Sequence, residues 1–462
     1  MTKALISLGD IFSSINGLAL SLRERAGISS FCIDSRKAGN NKLFVPLLGE
    51  NTDGHLYIDK AVEGGCLAFL CSQKHYAMNA AAVNELASRC SGGIIVDDPL
   101  RAMQKIAKEY VAGFKNLKKI GVTGSNGKTT SRLMTAAVLS SCGATVQTEG
   151  NLNSDIGLPI SVMQIGREHE YAVFEMGINY PGEMDILADV FGPEFGLFTN
   201  IGSAHIGILK SKDNIALEKR KMLKRSGSNG AAFVFEGENY KDFLCEGVKK
   251  IEFGPEAQKV RGYKDLGLSG SEFVWQNRKV KLGLAGRHNY LNALGSLRVG
   301  EFFGADRAEA ADALEQVRPM FGRTEILSGD VTIIQDCYNA NPESTEKSLE
   351  MLGPLRVEGS KIAVLGEMLE LGERSAELHR QTAEKAMAMN LDWLFFFGEE
   401  YLTAFNNCPP EVKGCRFYLD IDKLVEGLES VLKPGDLLLL KGSRGLSLER
   451  VAEKLKKESL SC

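Results

Sequence analysis

At 462 residues the chain is too long for one core, so two or three domains are expected. Hydrophobic residues at 44% and charged residues at 25% are ordinary for a soluble globular protein, and a net charge of −4 leaves no basic footprint for nucleic acid. No apolar run approaches the ~18 residues of a membrane helix, so no membrane insertion is expected.

Asp10 interrupts the N-terminus before a signal-peptide core develops. The ten cysteines show no C-x-x-C or Cys/His zinc spacing, Cys66 and Cys71 being the closest pair. Reduced thiols and a cytoplasmic location follow as expectations.

Residues 1–98 read as a small mixed α/β domain. Apolar residues over 8–22 recur at roughly helical spacing. A strand over 31–33 runs into Asp34, Ser35 and Arg36, and a second strand covers 43–47. Asp53-Gly54-His55 precedes a helix over 56–62, and strands follow over 67–70 and 93–96. Asp34, Ser35, Arg36 and His55 are the only polar concentrations here, and turn or cap residues are their plainer reading. Asp97-Asp98-Pro99 marks a domain boundary, because Pro blocks continuation of the strand.

Residues 99–317 alternate strands with helices, which predicts an open, mostly parallel sheet with ligands at the strand C-termini. A β-prone run over 119–123 leads into Gly124-Ser125-Asn126-Gly127-Lys128-Thr129-Thr130, and a helix follows. The glycines let backbone N–H groups approach a ligand, and a helix N-terminus with a lysine forms a phosphate cradle. Lys128 would reach the β- and γ-phosphates and Thr129 would hold Mg²⁺. The usual phosphate-loop pattern has glycine at the position of Val122; here the glycine is Gly124.

Three further strand ends carry polar groups. Glu175 follows 171–174; Thr199, Asn200 and His205 follow 195–198; Asn151, Asn153 and Ser154 follow 145–147. A carboxylate and an imidazole facing the loop could hold Mg²⁺, with His205 the less typical ligand because Mg²⁺ prefers oxygen. Each alone is also read as a satisfied structural residue; their repetition points to chemistry. The helix over 213–225 contains Glu218-Lys219-Arg220-Lys221, whose plain reading is a solvated face. Residues 226–281 read as a less regular lobe, and 284–293 opens an apolar helix on which His288 and Asn292 share a face.

Residues 318–462 form a second alternating α/β unit. Gly322-Arg323 precedes a strand over 331–335 that runs into Asp336, Tyr338 and Asn339. A helix over 343–352, strands over 361–365, 393–397 and 437–440, and a helix over 448–455 complete it.

The phosphate loop combines with several other motifs: Gly150-Asn151-Leu152-Asn153, Glu175-Met176-Gly177, Thr199-Asn200-Ile201-Gly202 with His205, Gly286 with His288-Asn289, Tyr338-Asn339-Ala340-Asn341-Pro342, Gly366-Glu367-Met368 with Glu370-Leu371-Gly372, and Lys441-Gly442-Ser443-Arg444. Together they resemble the Mur ligases, the ATP-dependent amide-forming enzymes of peptidoglycan synthesis, and the related folylpolyglutamate ligases. The motifs at 338–342 and 366–372 resemble the branch that adds D-alanyl-D-alanine to a UDP-N-acetylmuramoyl-tripeptide. The Asp-Asn-Pro-Arg motif typical of the ligase adding the third residue is not found.

The resemblance implies three domains: a UDP-substrate domain over 1–98, a central P-loop ATPase-like domain over 99–317 and a Rossmann-like domain over 318–462. It implies that the loop residues Gly124 to Thr130 and Arg323 bind ATP phosphates, that Asn289 and Asn292 contact adenine, and that Asp336, Tyr338 and Asn339 lie in the same cleft. Thr129, Glu175, His205 and Lys219 would hold Mg²⁺, with Lys219 as a carbamate. Asp34, Ser35, Arg36, Asp53, His55, Asn151 and Asn153 would meet the UDP-substrate. Arg220, Lys221 and a nearby cation would lower the Lys219 pKa enough for reaction with CO₂. Three positions depart from the family: Lys221 replaces a usual acidic residue, and Asn41-Lys42 replace a glycine and an acidic residue.

The chain is then expected to act as a monomer, through an acyl phosphate. A folylpolyglutamate-type or other peptide ligase would share the ATPase but has no evident need for the Asp34-Ser35-Arg36 domain. A non-catalytic nucleotide-binding regulator would have no need of Lys128, Glu175, His205 and Lys219 together.

Overall fold

The computed structural model describes residues 6–405 and 414–458. Its architecture is α/β, with three main sheets drawn from successive parts of the chain.

The N-terminal sheet has the order Leu18–Leu20, Gly93–Val96, Ala68–Ser72, Lys42–Phe44, Ser30–Cys32. Only the first pair is antiparallel. The helix expected over 8–22 stops at Ser14, and 18–20 is a strand. Gly17 explains the break: a Cβ there would lie 2.6 Å from the Ile95 carbonyl oxygen, so the chain passes close against its strand partner. The helix Gln73–Arg89, absent from the sequence reading, packs Val83 and Ala87 against Phe69 and Cys71.

At the boundary marked by Asp97-Asp98-Pro99 the chain begins a helix, Pro99–Ala112. Asp98 accepts hydrogen bonds from Leu100 N (2.8 Å) and Arg101 N (3.2 Å), and Pro99 sits where no N–H is needed. The buried face of this helix, including Met103, Ile106 and Tyr110, lies in one apolar cluster with Leu43 and Leu70 of the N-terminal sheet and Leu158 and Leu187 of the central lobe. The Tyr110 hydroxyl donates to the Ile165 carbonyl at 2.6 Å, fastening the helix to the central lobe.

The central sheet is wholly parallel, in the order Lys249–Phe253, Ala231–Phe235, Phe195–Phe198, Lys118–Thr123, Tyr171–Glu175, Thr145–Gln147. Both faces are covered, so inner strands such as Tyr171–Glu175 are buried at every residue. The lobe expected over 226–281 is therefore divided. Ala231–Phe235 and Lys249–Phe253 extend the main sheet, while Arg261–Asp265, Ser271–Trp275 and Arg278–Leu282 form a separate antiparallel sheet. The helix Arg287–Phe302 lies along Lys128–Ser140, joined by a buried hydrogen bond from Thr135 Oγ1 to Ser296 Oγ at 3.0 Å.

The C-terminal sheet runs Glu325–Leu327, Thr332–Asp336, Leu437–Lys441, Lys361–Gly366, Trp393–Phe397, Cys415–Tyr418, parallel except for its first pair. Successive residues point to opposite faces. Phe395, Leu438 and Leu440 enter one core, and Phe396, Leu437 and Leu439 the other.

Candidate active site

The strand Lys118–Thr123 ends in a loop that only glycine permits at two places. Gly124 has φ 152°, and a Cβ there would lie 1.8 Å from Thr199 Oγ1. Gly127 is left-handed at φ 78°, and a Cβ would lie 2.8 Å from Asn292 Oδ1. The end of the neighbouring strand fixes the loop. Thr199 Oγ1 and Asn200 Nδ2 donate to the Asn126 carbonyl at 2.6 and 3.0 Å, and Asn126 N donates to Asn200 Oδ1 at 3.1 Å. Gly202 N donates to Ser125 Oγ at 2.7 Å. The helix Lys128–Ser140 then starts without a side-chain cap, which leaves its first N–H groups for a ligand.

Two lysines meet at one carbonyl beneath this loop. Lys128 Nζ donates to Gly124 O at 2.9 Å and Lys219 Nζ to the same oxygen at 3.0 Å. Lys219 is 0% exposed, so the solvated-face reading of its helix does not hold for this residue. Burial drives its pKa far down, and the Lys128 charge adds to the effect. Burial also lowers Lys128, with Glu175 opposing.

The expectation that Arg220 and Lys221 depress Lys219 is corrected. Arg220 pairs with Glu246 at 2.6 Å and lies over the Phe243 ring. Lys221 pairs with Glu218 and Asp185 at 2.7 and 2.9 Å. Glu218 Oε1 in turn accepts Gly182 N and Met184 N at the start of the helix Glu183–Phe191.

Thr129 and Glu175 are in contact. Thr129 Oγ1 donates to Glu175 Oε2 at 2.7 Å, and Asn153 Nδ2 donates to Glu175 Oε1 at 2.7 Å. These are oxygen donors on a buried carboxylate and a hydroxyl, a set that suits a hard cation. His205, left-handed at φ 63°, is tied elsewhere. Its Nδ1 lies 2.7 Å from Glu370 Oε2, close enough for an ion pair but without hydrogen-bond alignment.

The cleft above the loop has a volume of about 520 Å³ and is walled by both the central and the C-terminal lobes. The central side supplies Asn126 to Thr130, Asn153, Glu175, His205, Asn289 and Asn292. Asn289 is buried and donates to the Ala285 carbonyl at 2.8 Å, while Asn292 sits against Gly127. Phe235, Phe253 and Leu291 give one part of the wall an apolar surface.

The C-terminal side supplies Arg323, Asp336, Tyr338 and Asn339. The Arg323 guanidinium stacks 4.0 Å over the Tyr338 ring. Asp336 pairs with Lys441 at 2.9 Å and accepts from Ser348 Oγ at 2.6 Å. Burial pushes the Asp336 carboxyl up, but Lys441 and Ser348 outweigh it and hold it below the ordinary value. Lys441 also donates to the Asn339 carbonyl at 2.8 Å.

Glu343 and Glu370 line the cleft as well, and sequence reasoning did not single them out. Glu370 lay within the quoted motif at 366–372; Glu343 directly follows Pro342. Burial raises and Ser203 and Lys212 lower the Glu343 carboxyl, for a net fall.

The remaining expected residues lie apart from this cleft. Asp34 caps the turn Ser35–Lys37, and Arg36 returns two hydrogen bonds of 2.9 Å to it. Arg36 holds the Asp34 carboxyl down at about 2, while its own side chain is 88% exposed. Asp53 caps the turn Gly54–Tyr57 and meets His55 Nδ1 at 2.6 Å. His55 Nε2 accepts Ser72 N at 3.0 Å, so Nδ1 carries the proton toward Asp53. Among the described residues only Asp53, His55 and His75 group as metal ligands do, but His55 has both nitrogens engaged. Asn151 is exposed and does not line the cleft. The cysteines of the described residues are free, and no helix among them is long and apolar enough to cross a membrane.

Comparison with known proteins gives three successive matches along the chain. Three family models match in succession: Mur ligase family, catalytic domain, over 27–111; Mur ligase middle domain over 122–300; and Mur ligase, glutamate ligase domain, over 322–444. The UDP-N-acetylmuramoyl-tripeptide–D-alanyl-D-alanine ligase of Treponema pallidum (strain Nichols) is 34% identical, over 98% of this chain and 100% of the relative. That of Bacillus subtilis (strain 168) is 30% identical over 95% of each. The crystal structure of MurF ligase from Thermotoga maritima in complex with ADP superposes with a TM-score of 0.78 at 29% identity, covering 93% of this chain and 97% of that one. MurF from Acinetobacter baumannii shares the fold, with a TM-score of 0.87 at 24% identity over 99% and 100%. The chain belongs to the Mur ligase family, in the branch of the UDP-N-acetylmuramoyl-tripeptide–D-alanyl-D-alanine ligases.

Proposed function

We infer that the chain is an ATP-dependent ligase that joins D-alanyl-D-alanine to the peptide carboxylate of a UDP-N-acetylmuramoyl-tripeptide in peptidoglycan synthesis. The observation that carries this reading is the cleft itself. A glycine loop with Lys128 faces Arg323 and Asp336 of the other lobe, in a chain aligned end to end with relatives of that name. A carboxylate is a poor electrophile at neutral pH. Its oxygen attacks the γ-phosphorus of ATP, ADP leaves, and the resulting acyl phosphate has a good leaving group. The dipeptide amine then attacks the carbonyl, and the tetrahedral intermediate expels phosphate.

Lys128 and the N–H groups at the start of the helix Lys128–Ser140 would hold the phosphates. Arg323, braced on Tyr338, would neutralise charge from the opposite wall. Asn289, Asn292 and the apolar wall near Phe235 suit adenine. Thr129 and Glu175 would hold Mg²⁺, which supplies charge stabilisation on the phosphoryl group. His205, which lines the same cleft and has only Nδ1 against Glu370, would offer Nε2 to the ion. Lys219, whose burial favours the neutral amine, is suited to react with CO₂ and carry a carbamate, releasing a proton and gaining two oxygens for a second cation. Asp34, Ser35 and Arg36, outside the cleft and with Arg36 open to solvent, would meet the uridine nucleotide. The chain would act as a cytoplasmic monomer.

The test is product formation and ADP release with ATP, the UDP-tripeptide and D-alanyl-D-alanine, each omitted in turn. Extension of the peptide only when all three are present supports the reading. Equal turnover with a folate glutamyl acceptor points instead to the folylpolyglutamate type.

A further inference from the structure

The helix Pro342–Leu352 begins at the cleft and reaches from the C-terminal lobe to the central one. Its N-cap, Asn341, exchanges side-chain hydrogen bonds with Asn126 of the phosphate loop, at 2.7 and 3.3 Å. Glu343, the second residue of the helix, reaches a different segment. Both of its oxygens accept Ser203 N at 3.1 Å, one accepts the Ser203 hydroxyl at 2.5 Å, and Lys212 pairs with it at 2.9 Å. Ser203 follows Gly202, whose N–H donates to Ser125 Oγ at 2.7 Å and whose carbonyl accepts from it at 3.2 Å. A short hydrogen-bonded path thus runs from a carboxylate of the C-terminal lobe to the phosphate loop. Glu343 has no task in the chemistry above, and with its oxygens already taken by Ser203 and Lys212 it is a poor base.

We propose that Glu343 is a positioning residue for the ligation. Through Ser203 it sets the C-terminal lobe in register with the phosphate loop, so that Arg323 and Lys128 address the same phosphoryl group. The proposal rests on the ligase reading above. Misplacement of a reacting group by about 1 Å can cost 10²-fold in rate, so a register contact remote from the chemistry is visible in kcat.

The experiment compares the full-length wild type with Glu343→Ala, Glu343→Gln, Ser203→Ala and the double variant Glu343→Ala/Ser203→Ala. Steady-state ligation is measured on each, together with thermal melting. Glu343→Ala is expected to lower kcat about 10- to 100-fold. The KM for the UDP-tripeptide should stay within about twofold, since Glu343 is held by Ser203 and Lys212 and acts on register, not on the uridine end of that substrate. Glu343→Gln keeps an acceptor for Ser203 and should recover part of the loss. The double variant should be little worse than Glu343→Ala, because the two side chains act through one contact. Full kcat in folded Glu343→Gln and Ser203→Ala overturns the proposal even if Glu343→Ala does not fold. Multiplicative losses in the double variant, showing independent action, also overturn it. A wild type that does not ligate at all brings down the ligase reading and the proposal with it, a result distinct from an active wild type with indifferent variants.

Discussion

In the cleft, most polar groups are buried or half-buried and are drawn together from distant segments; Asn126 and Asn341 bond across 215 positions of the chain. Around Asp34 and Arg36 the partners are two residues apart and the arginine is open to solvent. The cleft is preorganised, with each donor or acceptor already aimed by another: Asn200 aims Asn126, Asn153 aims Glu175, and Lys441 aims Asp336. The N-terminal turn is a local motif, closed on itself by the Asp34–Arg36 pair. Loss of a cleft residue should therefore fall on the rate of the chemical step, and loss of an N-terminal residue on substrate affinity or stability.

The largest effect is expected at Lys128. Lys128→Ala should lower kcat at least about 10²- to 10³-fold, the usual cost of removing one preorganised charge-stabilising donor, while the melting temperature holds. Ligation at the wild-type rate by a folded variant contradicts the phosphate-loop assignment.

Lys219→Ala comes next, at about 10²-fold in kcat if the lysine works as a carbamate that places a cation. Incubation with ¹³C-bicarbonate should give a carbamate NMR signal in the wild type that is lost in the variant. A wild-type spectrum without that signal, beside near-normal turnover of Lys219→Ala, removes Lys219 from the mechanism.

His55→Ala probes the other region through stability. Ser72 N–H and Asp53 would lose their partner, at about 1–3 kcal/mol for a buried unsatisfied group, read as a lower denaturation midpoint. An unchanged midpoint would show that the buried ring is not what braces this turn.

Arg36→Ala should be the mildest. The KM for the UDP-tripeptide is expected to rise about tenfold, the loss of one charge-assisted contact, with the KM for ATP unchanged. An equal rise for ATP would mean that the two regions are not separable, and the comparison itself would fail.

The same contrast explains what could be read from the sequence. The phosphate loop was legible because its glycines carry backbone requirements that no other residue meets, φ 152° at Gly124 and 78° at Gly127. Strands such as Trp393–Phe397 were legible because their apolar runs are short and continuous. Asp34 and Arg36 were legible as a local cap. The burial of Lys219 was not, because Glu218-Lys219-Arg220-Lys221 looks the same whether one side chain or none turns inward. Its helix has an apolar face at Ile215 and Ala216, and Lys219 falls on it four residues after Ile215. Glu343 could not be found by motif, since its partner Ser203 lies 140 positions away. The end of the first helix was misread because Gly17 acts through its approach to Ile95, which only the sheet reveals.

The central claim is that this cleft uses ATP to activate the tripeptide's own carboxylate. Labelling that carboxylate with ¹⁸O and analysing the released phosphate by mass spectrometry tests it directly. The account predicts that one labelled oxygen leaves with inorganic phosphate, because the acyl phosphate forms through that oxygen and breaks at the carbonyl carbon. Phosphate free of label, with the extended peptide still formed, would contradict it.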